Sequence, residues 1–297
     1  MTVLVTGLSG FVGSHCAQLL PAVDLADGGW IDLRDAQRVQ AAVRATAPEA
    51  VIHLAAQSSV PASIEDPKHT YEVNFFGTLN LLEALRQTGF KGTMLYVGSA
   101  DVYGAVPETA LPITEACPAK PLNPYAVSKV AAEALCYQWS RSAGFKIVVA
   151  RPFNHIGPRQ SAQFAVSDFA RQIVACRKGR GPASLHVGDI DTTRDFTDVR
   201  DIVRAYAALL QSGRNGEAYN VCSGVERSLR EVIQTLLDAS GVNMEIQVDP
   251  QRLRTVEQRR MRGSSAKLQA DTGWTPQVSF EQTLIDTLDY WDRKDEP

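Results

Sequence analysis

The 297-residue sequence has little cysteine and no pattern typical of a metal site. Its 5 cysteines are odd in number and scattered, without a C-x-x-C pair. This usage fits a reducing cytosol better than a disulfide scaffold. Its 5 histidines show neither H-E-x-x-H nor any other paired-ligand spacing. We therefore predict neither a zinc site nor a disulfide framework.

The sequence also lacks a basic excess, a basic leader and a long apolar run. It carries 30 Lys and Arg against 33 Asp and Glu, a formal net charge of −3, whereas proteins that bind nucleic acids are usually basic. It contains no run of ~18 apolar residues, the length that a transmembrane helix needs. We therefore expect a cytoplasmic protein that binds neither nucleic acid nor membrane. Any anionic ligand must then be held by local arginines or backbone amides.

Short apolar runs alternate with helical stretches along the first two thirds of the chain. Strands are predicted at 3–6, 51–56, 93–97, 146–150 and 218–222. Four helices are predicted: one that follows the first strand and ends at Leu20, one over Thr78–Leu85, one that begins near Tyr125, and one over Asp201–Gln211. This alternation predicts an α/β protein with a Rossmann-type, doubly wound parallel sheet. Longer loops after Arg151–Pro158 predict a smaller, mixed α/β substrate domain toward the C-terminus. The approximate boundaries are 1–153 with 196–222 for the first domain, and 154–195 with 223–297 for the second.

The first predicted strand runs directly into a glycine-rich turn. Gly7, Gly10 and Gly13 have the spacing G-x-x-G-x-x-G, with Phe11 and Val12 between the last two. Between a strand and a helix, glycines let the backbone approach a pyrophosphate at the helix N-terminus. We favour dinucleotide binding over the alternative, which is a tight turn without a ligand.

Acidic residues beyond this turn are candidates for the adenosine half of a dinucleotide. Asp24 or Asp27 stands where an acidic residue usually receives the ribose, and no Arg or Lys lies near enough to bind a 2′-phosphate. This favours NAD over NADP, although both aspartates are also typical of solvent-facing turns. Asp32 and Leu33 begin a predicted helix. Asp32 either caps this helix or lies against the adenine.

Small or polar residues follow the next two strands. Leu54, Ala55 and Ala56 end the second one and leave room for a cofactor, while His53 before them is predicted to be a packed histidine. Asn74 is either a cofactor contact or the cap of the helix after it. Because ligands gather at the carboxyl ends of parallel strands, Ser99 is a site candidate as well as a turn serine.

Tyr125 and Lys129 are spaced i, i+4 on a predicted helix and therefore share one face. A positive charge within ~4–6 Å favours a phenolate, so the pair can donate or accept a proton near neutral pH. The alternative is a surface tyrosine stacked on a lysine stem.

Arginines are concentrated in one late segment. Residues 251–262 include Arg252, Arg254, Arg259, Arg260 and Arg262. This run is either a solvated face or a diphosphate clamp, since arginine forks match phosphate oxygens.

In this order and spacing, the Gly7 turn, the Ser99 turn and the Tyr125/Lys129 pair resemble the extended short-chain dehydrogenase/reductases. The resemblance covers essentially the whole chain, and the later segments are similar to the sugar-nucleotide branch. Within that branch, segments 151–155, 188–196 and 219–224 most closely resemble the GDP-6-deoxy-D-mannose reductases. The nearest relatives of that group are the GDP-mannose 4,6-dehydratases.

The resemblance implies reduction of GDP-4-dehydro-6-deoxy-D-mannose to GDP-D-rhamnose by NADH or NADPH. It implies that Tyr125 is the general acid, that Lys129 lowers the pKa of Tyr125 and holds the nicotinamide ribose, and that Ser99 donates a hydrogen bond to the C4 oxygen. It also implies a homodimer formed through the helices at Thr78–Leu85 and Tyr125–Ser140.

The same resemblance assigns further contacts residue by residue. Cofactor contacts are implied for Gly7, Gly10, Phe11, Val12, Gly13, Asp32, Leu33, Leu54, Ala55, Ala56, Asn74, Tyr125 and Lys129. Contacts to the sugar nucleotide are implied for Ser99, Asp101, Asn154, Arg194, Arg254 and Glu257.

Two departures from the family pattern bear on function. The adenine-side strand is short, which leaves the choice between NADH and NADPH open. The chain has Ser99-Ala100-Asp101 where dehydratases resemble T-D-E or T-S-E. Ala100 has no proton to give, and Asp101 reaches about one methylene less than glutamate, so a ketone reductase is favoured. The alternatives are a dehydratase or another epimerase or reductase of the family, and a non-catalytic cofactor sensor that the Tyr125/Lys129 pair disfavours.

Overall fold

The computed structural model describes residues 2–25, 31–252 and 258–294. The strands are β1 (Val3–Thr6), β2 (Ala22–Val23), β3 (Ala50–His53), β4 (Thr93–Val97), β5 (Lys146–Pro152), β6 (Asn154–Ile156), β7 (Ser184–Val187), β8 (Thr193–Asp198), β9 (Ala218–Val221), β10 (Glu226–Ser228) and β11 (Glu245–Val248). The α-helices are α1 (Phe11–Leu19), α2 (Ala36–Thr46), α3 (Val60–Glu65), α4 (Pro67–Tyr71), α5 (Gly77–Gln87), α6 (Pro124–Ser140), α7 (Ala165–Arg177), α8 (Val199–Ser212), α9 (Leu229–Ser240), α10 (Ala266–Thr272) and α11 (Phe280–Lys294). A π-helical turn spans Glu72–Phe76, and 3-10 helices span Ala100–Tyr103, Glu108–Ala110 and Pro250–Arg252.

A 6-stranded parallel sheet in the order β2-β1-β3-β4-β5-β9 forms the centre of the molecule. From β1 the chain passes to β2 on one side and to β3 on the other, so the strand order reverses between β1 and β3. Ligands of open α/β sheets bind at such a reversal, beyond the carboxyl ends of the strands. The predicted Rossmann-type sheet is confirmed, and the last predicted strand, now β9, does return to its edge.

The two faces of this sheet are covered by different helices. Successive strand residues point to opposite faces, and Val3 and Val5 of β1 accordingly lie in the core formed with α1, α8 and α10. Leu4, between them, lies in the core formed with α2, α5 and α6. The strands of the sheet are apolar on both sides because both sides are buried. The sheet is therefore doubly wound, as predicted.

Two sequence-based boundaries are wrong. The second predicted strand ends at His53 and not at Ala56, because the amide of Ala55 turns to the side-chain hydroxyl of Thr6, 3.2 Å away. The predicted helix at Asp32 begins instead at Ala36, capped by Asp35, whose carboxylate accepts the Arg38 amide. Asp32 is therefore not a helix cap.

The rest of the chain forms a smaller, mixed α/β region. β6 pairs in parallel with β8, which pairs antiparallel with β10, while β7 and β11 form a separate parallel pair. Helices α7, α9 and α11 enclose its apolar core. Buried Asp195 of β8 accepts hydrogen bonds from Ser223, Gly224 and Gly263, and so ties this region to the end of β9. None of the helices in the described ranges is long and apolar enough to cross a membrane.

Candidate active site

The glycine turn between β1 and α1 is folded so tightly that side chains are excluded from it. Gly7 has a φ of +78°, a conformation that favours glycine, and its carbonyl accepts the Gly10 amide at 3.0 Å. A Cβ on Gly13 would lie 2.2 Å from the Gly7 oxygen, and one on Gly10 would lie 3.2 Å from it. The exposed backbone at the start of α1 has the shape and polarity that a pyrophosphate needs.

Phe11 and Val12 begin α1 and have different surroundings. Val12 packs against the core on the α1 side of the sheet. The ring of Phe11 stacks on His155 with centroids 5.9 Å apart, and meets His15 edge-on. The start of α1 is thereby joined to the segment that follows β5, where the chain leaves the large sheet.

A buried polar network lies beneath the residues that follow β3. His53 is bonded to the hydroxyls of Thr6 at 2.7 Å and Thr78 at 3.0 Å, and burial lowers its pKa to about 3. His53 is thus a neutral, packed histidine, as predicted. Leu54, Ala55 and Ala56 are half-buried beside Gly7.

Asn74 belongs to a second buried link. It lies inside the π-helical turn and not at a helix cap, so that alternative is wrong. Its amide nitrogen donates to the Ser128 hydroxyl at 2.9 Å and to the Gln57 carbonyl at 3.0 Å. Asn74 therefore links the loop after β3 to Ser128 of α6, the residue before Lys129.

Ser99 and Tyr125 come together at the carboxyl end of β4. Ser99 caps the 3-10 helix Ala100–Tyr103 by accepting the Asp101 amide at 3.1 Å, and its side chain lies close enough to the Tyr125 phenol to act on the pKa of that group. Tyr125 is the second residue of α6, which Asn123 caps by accepting the Ala126 amide with its side chain. The two predicted catalytic oxygens therefore face the same point.

Lys129 lies one turn along α6 from Tyr125 and is only 4% exposed. Its Nζ is 5.8 Å from the centroid of the Tyr125 ring and donates to the Val97 carbonyl at 2.8 Å. Burial lowers the pKa of Lys129 to about 8, while the carboxylate of Glu133 acts in the opposite direction. The predicted shared face is confirmed.

The expected lowering of the Tyr125 pKa by Lys129 stays a prediction. Burial raises the pKa of the Tyr125 phenol, the nearby charge of Asp101 raises it further, and the hydrogen bond with Ser99 opposes them. The ammonium of Lys129 is bonded to the sheet at Val97. Tyr125 therefore keeps its proton at neutral pH, which is the form that a general acid needs.

The predicted adenine-side residues are partly engaged with each other. Asp32 accepts both the backbone amide and the guanidinium of Arg34, which lowers the pKa of its carboxyl. Leu33 is buried in the core, and its carbonyl accepts the side chain of Asn80 at 2.8 Å. Asp24 follows β2 and accepts the Leu25 amide, while Asp27 lies outside the described residues.

On the predicted substrate side, Asn154 and Arg194 occupy neighbouring strands. Asn154 is exposed at the start of β6, in register with Phe196 of β8. Arg194 of β8 donates to the carbonyls of Thr193 at 2.8 Å and Gln258 at 2.9 Å. Arg254 and Glu257 lie outside the described residues.

Three of the late arginines are paired with carboxylates. Arg252 reaches Asp168 at 2.7 Å, Arg259 reaches Asp189 at 3.0 Å, and Arg260 reaches both Glu226 and Glu108. As arranged here, these three arginines fasten their segment to the fold.

Sequence reasoning missed the charges behind Lys129. Glu133, one turn further along α6, forms a buried ion pair with Arg151 of β5. The signal was available, because Glu133 stands at i+4 from Lys129 just as Lys129 does from Tyr125. No comparable local spacing points to Arg151, because only the folding of β5 beside α6 brings it near Glu133.

A family model for GDP-mannose 4,6 dehydratase matches residues 29–287. The chain belongs to this family. The chain is 48% identical to a GDP-6-deoxy-D-mannose reductase of Pseudomonas aeruginosa, and the match covers 98% of this chain and 97% of the relative. The sequence-based resemblance is thereby confirmed.

Two solved structures show the same fold. The structure of RMD from Pseudomonas aeruginosa complexed with NADPH has a TM-score of 0.94 and 47% identity, with 99% of each chain covered. The UDP-glucose 4-epimerase of Thermus thermophilus in complex with NAD has a TM-score of 0.84 and 36% identity, covering 98% of this chain and 99% of the other.

Proposed function

We propose that this protein reduces the C4 ketone of GDP-4-dehydro-6-deoxy-D-mannose to GDP-D-rhamnose with NADH or NADPH. The observation that carries the proposal is the pair of Ser99 and protonated Tyr125 at the end of β4, with Lys129 buried below. The similarity to a GDP-6-deoxy-D-mannose reductase over nearly the whole chain supports the same substrate.

The glycine turn suits a dinucleotide: a Cβ on Gly13 would collide with the Gly7 carbonyl and the Leu8 backbone, so glycine there lets the start of α1 pack closely against the turn, as a pyrophosphate site needs. Gly7, Gly10, Phe11, Val12 and Gly13 would hold the pyrophosphate. The adenosine half would lie toward Asp32 and the backbone of Leu33, and the nicotinamide half toward Leu54, Ala55, Ala56, Asn74 and Lys129. When bound, the reduced nicotinamide supplies the hydride for C4.

Tyr125 donates its phenolic proton to the oxygen that becomes the C4 hydroxyl. Ser99, whose side chain lies close to the Tyr125 phenol, donates to the same oxygen as negative charge develops on it. Lys129 adds a positive charge in a water-poor site, where fixed donors and charges stabilise such an oxyanion most effectively. The chain thus provides the one proton that a ketone reduction requires.

The alternative activity is GDP-mannose 4,6-dehydration. A dehydratase must also remove the C5 proton and expel the C6 hydroxyl, which requires further acid and base groups. Ala100 is buried and carries no such group. Asp101 is half-buried and close enough to raise the pKa of Tyr125, so it is the candidate base beside Ser99. We assign Asp101 to substrate contact and favour the reductase.

We assign the sugar nucleotide to the side of the cleft formed by β6, β8 and the late arginines. Asn154 and Arg194 lie on adjacent strands there, and Arg254 and Glu257 complete the proposed set. Arginine forks suit a diphosphate, so we expect Arg194 and Arg254 to contact it.

We also propose a homodimer in which α5 and α6 pack against their copies. Phe76, just before α5, and Val127 and Tyr137 of α6 expose 52%, 40% and 53% of their area, and exposed apolar side chains of this size can form a protein–protein contact. Light scattering at micromolar concentration should give twice the mass of the chain. A monomer would contradict this arrangement.

The predicted domain boundaries and cytoplasmic location are part of the proposal. The strands β1–β5 and β9 belong to 1–153 and 196–222, while β8 crosses the boundary at residue 196. All five cysteines are free thiols, which suits a reducing compartment.

The deciding experiment supplies GDP-4-dehydro-6-deoxy-D-mannose with NADH or NADPH and follows the loss of reduced nicotinamide by absorbance. We expect turnover with at least one cofactor and GDP-D-rhamnose as the product, identified by the C4 configuration in its NMR spectrum. The UDP and dTDP 4-keto sugars are the matched controls, and GDP-mannose with catalytic NAD tests the dehydratase. A 4-keto product from GDP-mannose, without ketone reduction, would overturn the proposal.

A further inference from the structure

The ion pair of Glu133 and Arg151 lies buried behind Lys129. Glu133 is only 8% exposed. Its carboxylate accepts hydrogen bonds from Arg151 Nε, at 3.0 and 3.2 Å, and from Arg151 Nη2, at 2.7 Å, which makes the contact bidentate. An isolated carboxylate this deeply buried would tend to take up a proton, so Arg151 is what allows Glu133 to remain charged.

The pair extends in a chain of hydrogen bonds toward the Ser99 turn. Arg151 Nη1 donates to the Tyr103 hydroxyl at 3.0 Å, and that hydroxyl donates to Asn220 at 2.7 Å. Tyr103 is the last residue of the 3-10 helix that Ser99 caps. One end of the network therefore holds the short helix beyond Ser99.

Glu133 also lies against the backbone just before Ser99. A Cβ on Gly98 would come within 2.4 Å of Glu133 Oε1, so glycine at this position allows β4 to end directly on the carboxylate. The Gly98 amide donates to the Ala150 carbonyl, next to Arg151. The carboxylate thus sits between Lys129 on its own helix and the turn that carries Ser99.

A purely stabilising role would not require charges at this position. Replacing a buried ion pair by apolar side chains of similar volume is often neutral or stabilising. The location between Lys129 and the Ser99 turn offers a different reason for the pair.

We propose that Glu133, held by Arg151, is a positioning residue that acts through Lys129 and the Ser99 turn. The inference rests on the proposed reductase function, since it assigns the pair to the support of that site. Glu133 does not touch the reacting atoms.

The electrostatic part follows from the groups that face Lys129. They are Glu133 and Cys136 on α6, His53 on β3, Tyr96 on β4, and Tyr125. Burial keeps His53 neutral and raises the pKa of the Cys136 thiol and of the Tyr96 and Tyr125 phenols. Among these groups Glu133 supplies the negative charge, with Arg151 beyond it as the opposing cation. Removing that negative charge should therefore make the Lys129 ammonium easier to deprotonate.

The first test is Glu133→Gln, which keeps the shape and removes the charge. The titration of Lys129 is followed by NMR in protein labelled with ¹³C at lysine Cε, without cofactor or substrate, and its signal is identified by its loss in Lys129→Met. We expect its midpoint to move to lower pH by about one pH unit, the lower end of what an adjacent opposite charge contributes. The falling alkaline limb of kcat for ketone reduction should move with it.

The matched control is Asp201→Asn. Asp201 of α8 is also buried, pairs with Arg204 and accepts the Gln277 and Val278 amides, away from α6. This variant should lower the melting temperature and leave the Lys129 midpoint unchanged. A merely structural Glu133 would behave in the same way.

Glu133→Asp provides a second test if the glutamine variant does not fold. It keeps the charge but withdraws the carboxylate by one methylene from Gly98, so we expect kcat to fall at least fivefold with KM little changed. The Lys129 midpoint should move less than in the glutamine variant. Midpoints and kcat equal to wild type in the variant that folds would overturn the proposal. The NMR arm needs no turnover, so an absence of ketone reduction would count against the proposed function and not against this inference.

Discussion

Around the proposed catalytic residues several polar side chains are buried and hydrogen-bonded, whereas the late arginines on the proposed substrate side are exposed and paired with carboxylates. His53 and Lys129 have almost no contact with solvent. Arg259 and Arg260, by contrast, expose 62% and 44% of their side chains and are paired with carboxylates.

This difference shows how each side can meet its ligand. Buried, hydrogen-bonded polar groups are costly to rearrange, so Lys129 and the polar groups bonded behind the proposed catalytic oxygens are fixed before a substrate arrives. Exposed ion pairs contribute only ~0–1 kcal/mol each, so a diphosphate can replace a carboxylate partner at small cost. We infer that chemistry is preorganised on one side, and that binding on the other is an exchange of ion-pair partners.

The strongest test of the preorganised side is Tyr125→Phe. Loss of one donor to a developing oxyanion commonly costs on the order of 10²–10³ in rate, and the proposed general acid should cost at least as much. Turnover of the 4-keto sugar should be abolished while NAD(P)H binding, measured by fluorescence, stays near wild type. Near-normal turnover with saturating cofactor would refute the assignment of Tyr125.

The next largest effect is expected from Gly13→Ala. The added Cβ would lie 2.2 Å from the Gly7 oxygen, and overpacking of this kind costs ~1–3 kcal/mol. We expect NAD(P)H affinity to fall at least about tenfold, or ~1.4 kcal/mol, in a calorimetric titration.

Gly241→Ala is the control for this substitution. Gly241 ends α9 with a φ of +67° and has open space around its Cβ position. Alanine there should cost ~1–2 kcal/mol of stability through backbone strain and leave cofactor affinity unchanged. Equal losses of affinity in both variants would indicate a general loss of stability and would contradict a phosphate role for the turn.

Local patterns predicted the cofactor side well because its signals are short-range. The Gly7 turn, the Ser99 turn and the Tyr125/Lys129 spacing each lie within a few residues of sequence, and the structure brings all three to the carboxyl edge of one sheet. The bond of Lys129 to Val97 could not be predicted, because it depends on how closely α6 packs on β4. For the same reason, the burial that raises the pKa of Tyr125 could not be predicted from the spacing.

The substrate side was predicted less well because its contacts join distant segments. The run of arginines was visible, but the partners Asp168, Asp189 and Glu226 come from three separate elements. The pairing of Arg151 with Glu133 likewise depends on α6 crossing β5. Charge in a sequence can be counted, whereas its compensation requires the fold.

A third prediction concerns pH. Burial lowers the pKa of Lys129 to about 8, so its ammonium is present below that pH and is lost as the pH rises through it. Reductase kcat should therefore decline through pH ~8 with the slope of a single ionisation. Lys146→Met is the control, because burial also lowers the pKa of Lys146 although it lies at the opposite end of β5. A shift of this decline of kcat in Lys146→Met would contradict control by Lys129. So would the absence of any decline in the wild-type protein below pH ~9.5.

The smallest effect tests the exchange of partners on the substrate side. Arg259 and Arg230 are similarly exposed, and they pair with Asp189 and Asp191 of one loop at 3.0 and 2.8 Å. Each change to Gln should cost less than ~1 kcal/mol in urea unfolding, since exposed pairs contribute little. If Arg259 trades Asp189 for the diphosphate, only Arg259→Gln should raise the substrate KM, by about three- to tenfold, with kcat retained. Equal KM values in both variants would place the diphosphate elsewhere, and Arg259 would then serve only to fasten its segment to the fold.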